Sequence, residues 1–309
     1  MRKKIILWGY PHLTHTHSYI YYGLKKAFQQ LGHQVYWFHD GEYPSELDFD
    51  YKDSIFFVDN QGRTDNNVPV LESGIYFSYD TFTNLNKYLG KVKGLINYRV
   101  AEYKHPKVDN NRYIEIEKGV VFDNQSTEEY NIIHFHYATN LLPNEINIDW
   151  SNKKRENEYN FVGTIHSPRQ NCEPLHQNFI EIIKNNNIKF NHRDPWINAA
   201  TESEHIDLMQ KSIFVPDFRP LEQKLNLYTS DRIMKAISYG CLVISDCPYA
   251  KYFIDKELIT SENAQEIYDL GMKNQYNTDL IVYLMEVIKR DHTYINRCKG
   301  LLSIVEEFN

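Results

Sequence analysis

Ser230-Asp-Arg-Ile-Met-Lys-Ala-Ile-Ser-Tyr-Gly-Cys-Leu-Val-Ile-Ser-Asp246 is the stretch whose reading decides the fold. Ser230 is a helix-capping residue type, Ile233, Met234 and Ile237 recur on one helical face, and Gly240 stops the helix. Cys241–Ser245 follows as an apolar run too short for a helix, and Ile213–Pro216 upstream is another. Strand, helix and buried strand in that order predict a β-α-β unit and a parallel sheet.

The same alternation extends to both ends of the chain. Towards the N-terminus, the pattern predicts a strand over Tyr159–Val162, a helix over Leu175–Lys184, a strand over Ile188–Asn191 and a helix ending at Lys211. Towards the C-terminus, Ile281, Leu284, Met285 and Ile288, then Ile295, Leu302 and Val305, predict helices. In the first half, Lys4–Trp8, Gln34–His39, Ser54–Asp59, Ile75–Ser78, Gly94–Tyr98 and Ile132–Tyr137 read as strands, and Ser18–Leu31 as a helix stopped at Gly32. The polar stretch Asp149–Glu158 is the natural boundary. The expectation is an α/β protein of two Rossmann-like parallel-sheet domains facing a cleft, residues 1–150 and 151–309, with a C-terminal helix that can pack back on the first.

Composition narrows the function class. The 309 residues are 42% hydrophobic and 24% charged, as in an ordinary globular chain. A net charge of −7 supplies no basic field for nucleic acid or an anionic membrane, so no nucleic-acid partner is expected. No run of about 18 apolar residues occurs, and Ile5–Trp8 is too short for the apolar part of a signal peptide, so a cytoplasmic location is expected. Cys172, Cys241, Cys247 and Cys298 form no C-x-x-C pair and fit a reducing compartment. No GxGxxG, GxxxxGK[ST], HExxH or GxSxG motif is present. Asp48-Phe-Asp50 precedes an apolar strand instead of ending one, the wrong context for a metal-binding DxD. The 24 tyrosines suit half-buried positions and carry no site reading.

Val215-Pro-Asp-Phe-Arg-Pro220 with the segment 230–246 resembles the donor-binding region of GT-B glycosyltransferases, in which a capped helix carries R-x-x-E-A-x-x-x-G. Asn160-Phe-Val-Gly-Thr-Ile-His-Ser-Pro-Arg169 resembles the first strand and loop of the same domain. The likeness covers roughly 159–246 and is nearest to CgeB-like and family-1/4-like transferases, with exostosin-like ones also similar. It implies a metal-independent glycosyltransferase that moves a sugar from a UDP- or GDP-linked donor to a hydroxyl acceptor, with no further cofactor. It also implies Gly163, Thr164, Arg169, Arg219, Tyr228, Ser230, Asp231, Arg232 and Lys235 as donor-binding residues. Lys235 stands where the family has its ribose-binding Glu, so either Lys235 contacts phosphate instead, or another carboxylate such as Glu222 holds the ribose, or activity is lost. Chemistry agrees with the likeness, because a helix N-terminus and a bidentate guanidinium both favour a diphosphate.

His12-Leu-Thr-His15-Thr-His17 follows the first strand, where the resemblance places the acceptor side. An imidazole there can take the acceptor proton in an inverting transfer or hydrogen-bond the donor sugar in a retaining one, and His17, then His15, are the catalytic candidates. Two alternatives stand beside this reading. One is a metal-dependent hydrolase using the His15/His17 and His134/His136 pairs, the latter on one strand face by period 2. The other is a non-catalytic sugar-nucleotide-binding homologue.

Overall fold

The computed structural model describes residues 2–12, 16–59, 66–79, 85–100, 111–125, 127, 129–163, 173–194, 197–198, 200–225, 229–306 and 308, with the backbone alone at 16, 17, 99, 100, 173 and 222. The chain divides into two compact units. The first comprises 1–101, 106–142 and 293–309, and the second 102–105 and 143–292.

The first unit is built on an eight-stranded sheet. Its strands are β1 (Lys4–Trp8), β2 (Gln34–Phe38), β3 (Ser54–Val58), β4 (Ile75–Tyr79), β5 (Gly94–Val100), β6 (Tyr113–Glu117), β7 (Val120–Asp123) and β8 (Asn131–Phe135), in the order β2-β1-β3-β4-β5-β8-β7-β6. Pairings from β2 through β8 are parallel, as alternating strands and crossovers predict. The last two strands are a departure. β6 and β7 form an antiparallel hairpin across Lys118-Gly119, and β7 runs antiparallel to β8. Gly119 sits at φ +78, which a β-carbon would strain, and that β-carbon would also meet the Arg297 guanidinium at 2.4 Å.

Helix α1 (Thr16–Gln30), two residues nearer the N-terminus than expected, buries Ile20, Leu24, Ala27 and Phe28 as their spacing predicts, and Tyr21 with them, while Leu31 falls past its end and is only half-buried. Helix α9 (Tyr294–Glu306) packs on α1, with Cys298 Sγ 4.0 Å from the Leu24 carbonyl. Tyr19, Tyr36 and Tyr130 are half-buried, as expected of the tyrosines, but others go further. Tyr76 and Tyr88 are fully buried, and Tyr76 stacks on Phe56 at 4.5 Å while its hydroxyl donates to the Pro69 carbonyl at 2.6 Å. A stacked aromatic pair adds about 0.5–1.5 kcal/mol to the gain from its area.

The second unit has β9 (Glu158–Val162), α2 (Glu173–Asn185), β10 (Lys189–Arg193), α3 (Glu202–Lys211), β11 (Val215–Asp217), α4 (Leu221–Leu225), α5 (Asp231–Ser238), β12 (Val243–Ser245), α6 (Ala250–Phe253), β13 (Ile259–Thr260), α7 (Ala264–Asn274) and α8 (Thr278–Asp291). β10 pairs with β9, and β11-β12-β13 pair in that order, all parallel. The two ladders are joined ahead of β11, where Ile213 N donates to the Glu158 carbonyl at 2.9 Å and Asn160 N to the Ser212 hydroxyl at 3.1 Å. Ile233, Met234 and Ile237 of α5 are fully buried, as the periodicity required. Among the described residues no helix is long and apolar enough to cross a membrane.

Candidate functional site

In the second unit β9 is flanked by β10 on one side and by the approach to β11 on the other. The chain leaves β9 in one direction and returns on the opposite side. In open α/β sheets such a reversal opens a crevice at the carboxyl ends of the strands, and ligands bind there. The carboxyl end of β9 is Val162-Gly163, and that of β11 is Asp217, followed by Phe218 and Arg219. Helix α5 begins beside them.

Asp217 is fully buried at the centre of this group. Arg219 folds back so that its Nε lies 3.0 and 3.1 Å from the two carboxylate oxygens and its Nη2 meets Oδ1 as well. Ser230 donates its hydroxyl to the same Oδ1 at 2.9 Å, and Arg232 Nη1 lies 3.6 Å from it. Arg232 is held from the other side too. Its Nη2 donates to the Val162 carbonyl at 3.0 Å, and its guanidinium lies 4.4 Å from the Phe161 ring centroid. Gly163, at φ +151, makes room for this, since a β-carbon there would come within 2.4 Å of Arg232 Nη2. Burial lowers the pKa of Arg232, helped by the charge of Arg219.

The remaining charges are paired around this cluster. Lys235 donates to Asp231 at 2.6 Å, one helical turn apart. Burial alone would raise the Asp231 carboxyl, but Lys235 and Arg232 hold it down to about 2. Lys235 is therefore engaged with Asp231, a partner the sequence reading did not foresee. Asp246, fully buried, accepts the Arg219 backbone N–H with both oxygens at 2.9 and 3.0 Å and faces Lys224 at 3.4 Å. Burial pushes its carboxyl from 3.8 up to about 6. Folding thus favours its neutral form, a contribution that is complete below about pH 4 and is lost as pH rises through about 6. Asp246→Asn is expected to flatten that part of the stability curve, read as unfolding midpoints at pH 4, 5, 6 and 7. An unaltered slope would contradict the assignment.

Of the residues expected at the donor site, Gly163, Arg219, Ser230, Asp231, Arg232 and Lys235 come together here. Thr164, Arg169, Tyr228 and the Glu222 side chain lie outside the described residues, as do His15 and the His17 side chain. The backbone of His17 is in the first turn of α1. His134 and His136, the second candidate metal pair, are both buried. His134 Nε2 lies 3.0 Å from Asp123 Oδ2, a carboxylate also bound by Arg112 through Nε at 3.0 Å and Nη2 at 2.8 Å. Among the described residues no group of three His, Cys, Asp or Glu side chains is arranged to hold a metal ion. Asp50 of the DxD look-alike pairs with Lys4 ahead of β3.

Sequence reasoning missed Asp217 and its counterpart in the first unit. There the strand order reverses between β1 and β3, and Asp59, 1% exposed, follows β3 with its N–H on the Trp8 carbonyl at 2.9 Å. Burial raises Tyr21 and Tyr98, whose hydroxyls lie 3.4 Å apart; the charges of Tyr98 and Asp59 add to the shift at Tyr21, while at Tyr98 the charge of Asp59 adds and the hydrogen bond with Tyr21 opposes. The signal was in the sequence: each carboxylate ends an apolar run, Ser54–Asp59 and Ile213–Asp217.

No protein-family model matches the chain, and no curated protein sequence does. Solved structures do match. The chain is similar to AviGT4, a glycosyltransferase involved in avilamycin A biosynthesis, with a TM-score of 0.53 at 9% identity over 100% of this chain and 97% of that one. It is similar to an alpha-glucosyltransferase solved with UDP-glucose and DNA containing an abasic site, with a TM-score of 0.54 at 10% identity over 99% of each chain. TarM is 15% identical over 86% of this chain, which spans only 56% of TarM, with a TM-score of 0.46. The two full-length matches, with the α/β architecture above, show that this chain has the GT-B fold.

Proposed function

We propose that the chain is a glycosyltransferase that moves a sugar from a nucleoside-diphosphate sugar to a hydroxyl acceptor. The observation that carries this reading is the pair of guanidinium groups, Arg219 and Arg232, gathered with the N-terminus of α5 at the strand reversal of the second unit. Two arginines against one buried carboxylate leave a net positive charge, which suits the diphosphate of a donor. In the transfer, the acceptor oxygen bonds to the anomeric carbon, the bond from that carbon to the phosphate oxygen breaks, and the nucleoside diphosphate leaves with the bonding electrons. The arginines and the α5 amides stabilise the charge that develops on the leaving group, in place of a metal ion. The acceptor's proton passes to a base in an inverting transfer, for which we assign His17 in the first unit, with His15 beside it in sequence. The DNA in the alpha-glucosyltransferase structure belongs to that protein; the net charge of −7 here favours a glycan or another small hydroxyl acceptor.

A thermal-shift panel of UDP, GDP, ADP and CMP, each with EDTA, tests the reading. One nucleoside diphosphate is expected to raise the unfolding midpoint, since ligand at 100 times its Kd adds about 2.7 kcal/mol to the native state. No shift from any of them removes the nucleotide-sugar assignment. A shift that appears only when Mg²⁺ or Mn²⁺ is supplied removes metal independence.

A further inference from the structure

We propose that Asp217 is the positioning residue of this site: its buried carboxylate sets the orientation of Arg219 and Arg232, cancels one of their two charges, and leaves one net positive charge to meet one anionic group of the ligand. The inference rests on the nucleotide-sugar reading for the identity of the ligand, but its geometry stands apart from it. Two guanidinium groups in a buried crevice repel each other and would turn outward unless a carboxylate lay between them. Asp217 is that carboxylate, fully buried, with one oxygen shared by Arg219, Ser230 and Arg232.

Ser230 supplies an independent observation. It occupies the N-cap of α5, where a serine ordinarily accepts from the backbone of the first turn, yet it makes no side-chain cap hydrogen bond. Its hydroxyl donates to Asp217 instead. The first turn of α5 is thereby left without the acceptor that its own cap would supply, which is how a helix N-terminus is kept for an anion. Asp217 thus acts twice, by holding two guanidinium groups and by drawing the capping hydroxyl away from the helix. It touches none of the reacting atoms and works through Arg219, Arg232 and Ser230.

Asp217→Asn keeps the shape and removes the charge. Three readouts are needed: the Nε–H resonances of Arg219 and Arg232 by ¹⁵N NMR, UDP affinity by calorimetry, and acceptor-free hydrolysis of UDP-glucose. Wild-type protein is expected to show both arginine resonances sharp and slowly exchanging, and the variant to show them broadened. Turnover is expected to fall by about 10²-fold, as when a catalytic group is misplaced by an ångström. UDP affinity is expected to hold within about threefold or to tighten, because the variant carries one more uncompensated positive charge. Ser230→Ala, which alters no charge, is expected to shift turnover in the same direction by a smaller factor, and it stands in if Asp217→Asn does not fold. Unaltered arginine resonances, or turnover and UDP affinity lost in equal proportion, overturn the positioning role. Wild-type protein that binds none of UDP, GDP, ADP and CMP counts against the nucleotide reading, while the resonances still decide the role of Asp217.

Discussion

Replacing Arg297 by methionine is expected to lower the unfolding free energy by about 3–5 kcal/mol, among the largest effects of any single substitution in this chain. The side chain is fully buried, and its three nitrogens donate to three carbonyls: Nε to His136 at 3.0 Å, Nη1 to Lys118 at 2.6 Å and Nη2 to Tyr137 at 2.9 Å. Methionine fills much of the volume and satisfies none of these acceptors, and each buried carbonyl left unpaired costs about 1–3 kcal/mol. Some of that loss is recovered because a buried charge disappears with the arginine. Urea unfolding monitored by circular dichroism measures the balance. A loss below about 1 kcal/mol would mean that water reaches these carbonyls and that the guanidinium is not what ties α9 to the β6–β7 turn.

Arg232→Ala is expected to weaken nucleoside-diphosphate binding by about 10- to 150-fold, since a hydrogen bond to a charged group is worth roughly 1.5–3 kcal/mol. The fold should survive, because Asp217 keeps Arg219 and Ser230 as partners and is not left as an unpaired buried charge. Calorimetric titration with UDP, or with whichever diphosphate stabilises the wild type, measures the loss. Arg232→Lys is expected to recover only part of it, since an ammonium cannot donate to the Val162 carbonyl and at the same time keep the ion pair with Asp217 through a fixed fork as Arg232 does. Unchanged affinity in a folded Arg232→Ala protein would take the residue out of the site.

What the sequence disclosed and what it concealed follow from the range of the interactions. The α5 segment was legible because capping, periodicity and a buried strand all lie within seventeen residues, and each signal is local. The β6–β7 hairpin was not legible. Glu115 and Glu117 alternate with Ile114 on a strand that leaves Ile114 54% exposed, and Lys118-Gly119 is not a dipeptide that marks a hairpin strongly. Missing that hairpin hid Asp123, and with it the partner of His134, so two histidines two apart looked like metal ligands. Asp217 escaped notice for a related reason: ending an apolar run marks it as a strand end, but its partners Arg219, Ser230 and Arg232 reach it only in the fold, from two to fifteen residues away. The sequence singled out both arginines as donor-site candidates, but their engagement with a buried carboxylate was not legible.

The membership of Thr293–Asn309 in the first unit sets the order in which a nascent chain can be completed. The second unit has all of its residues through His292 before the first has received α9. Until Arg297 is made, the carbonyls of Lys118, His136 and Tyr137 lack their donor, and α1 lacks the helix that packs on it. At about 5–20 residues per second, that interval lasts roughly ten to thirty seconds. The half that is synthesised first is therefore sealed last, and during translation it is the part of the molecule that most needs shielding from aggregation.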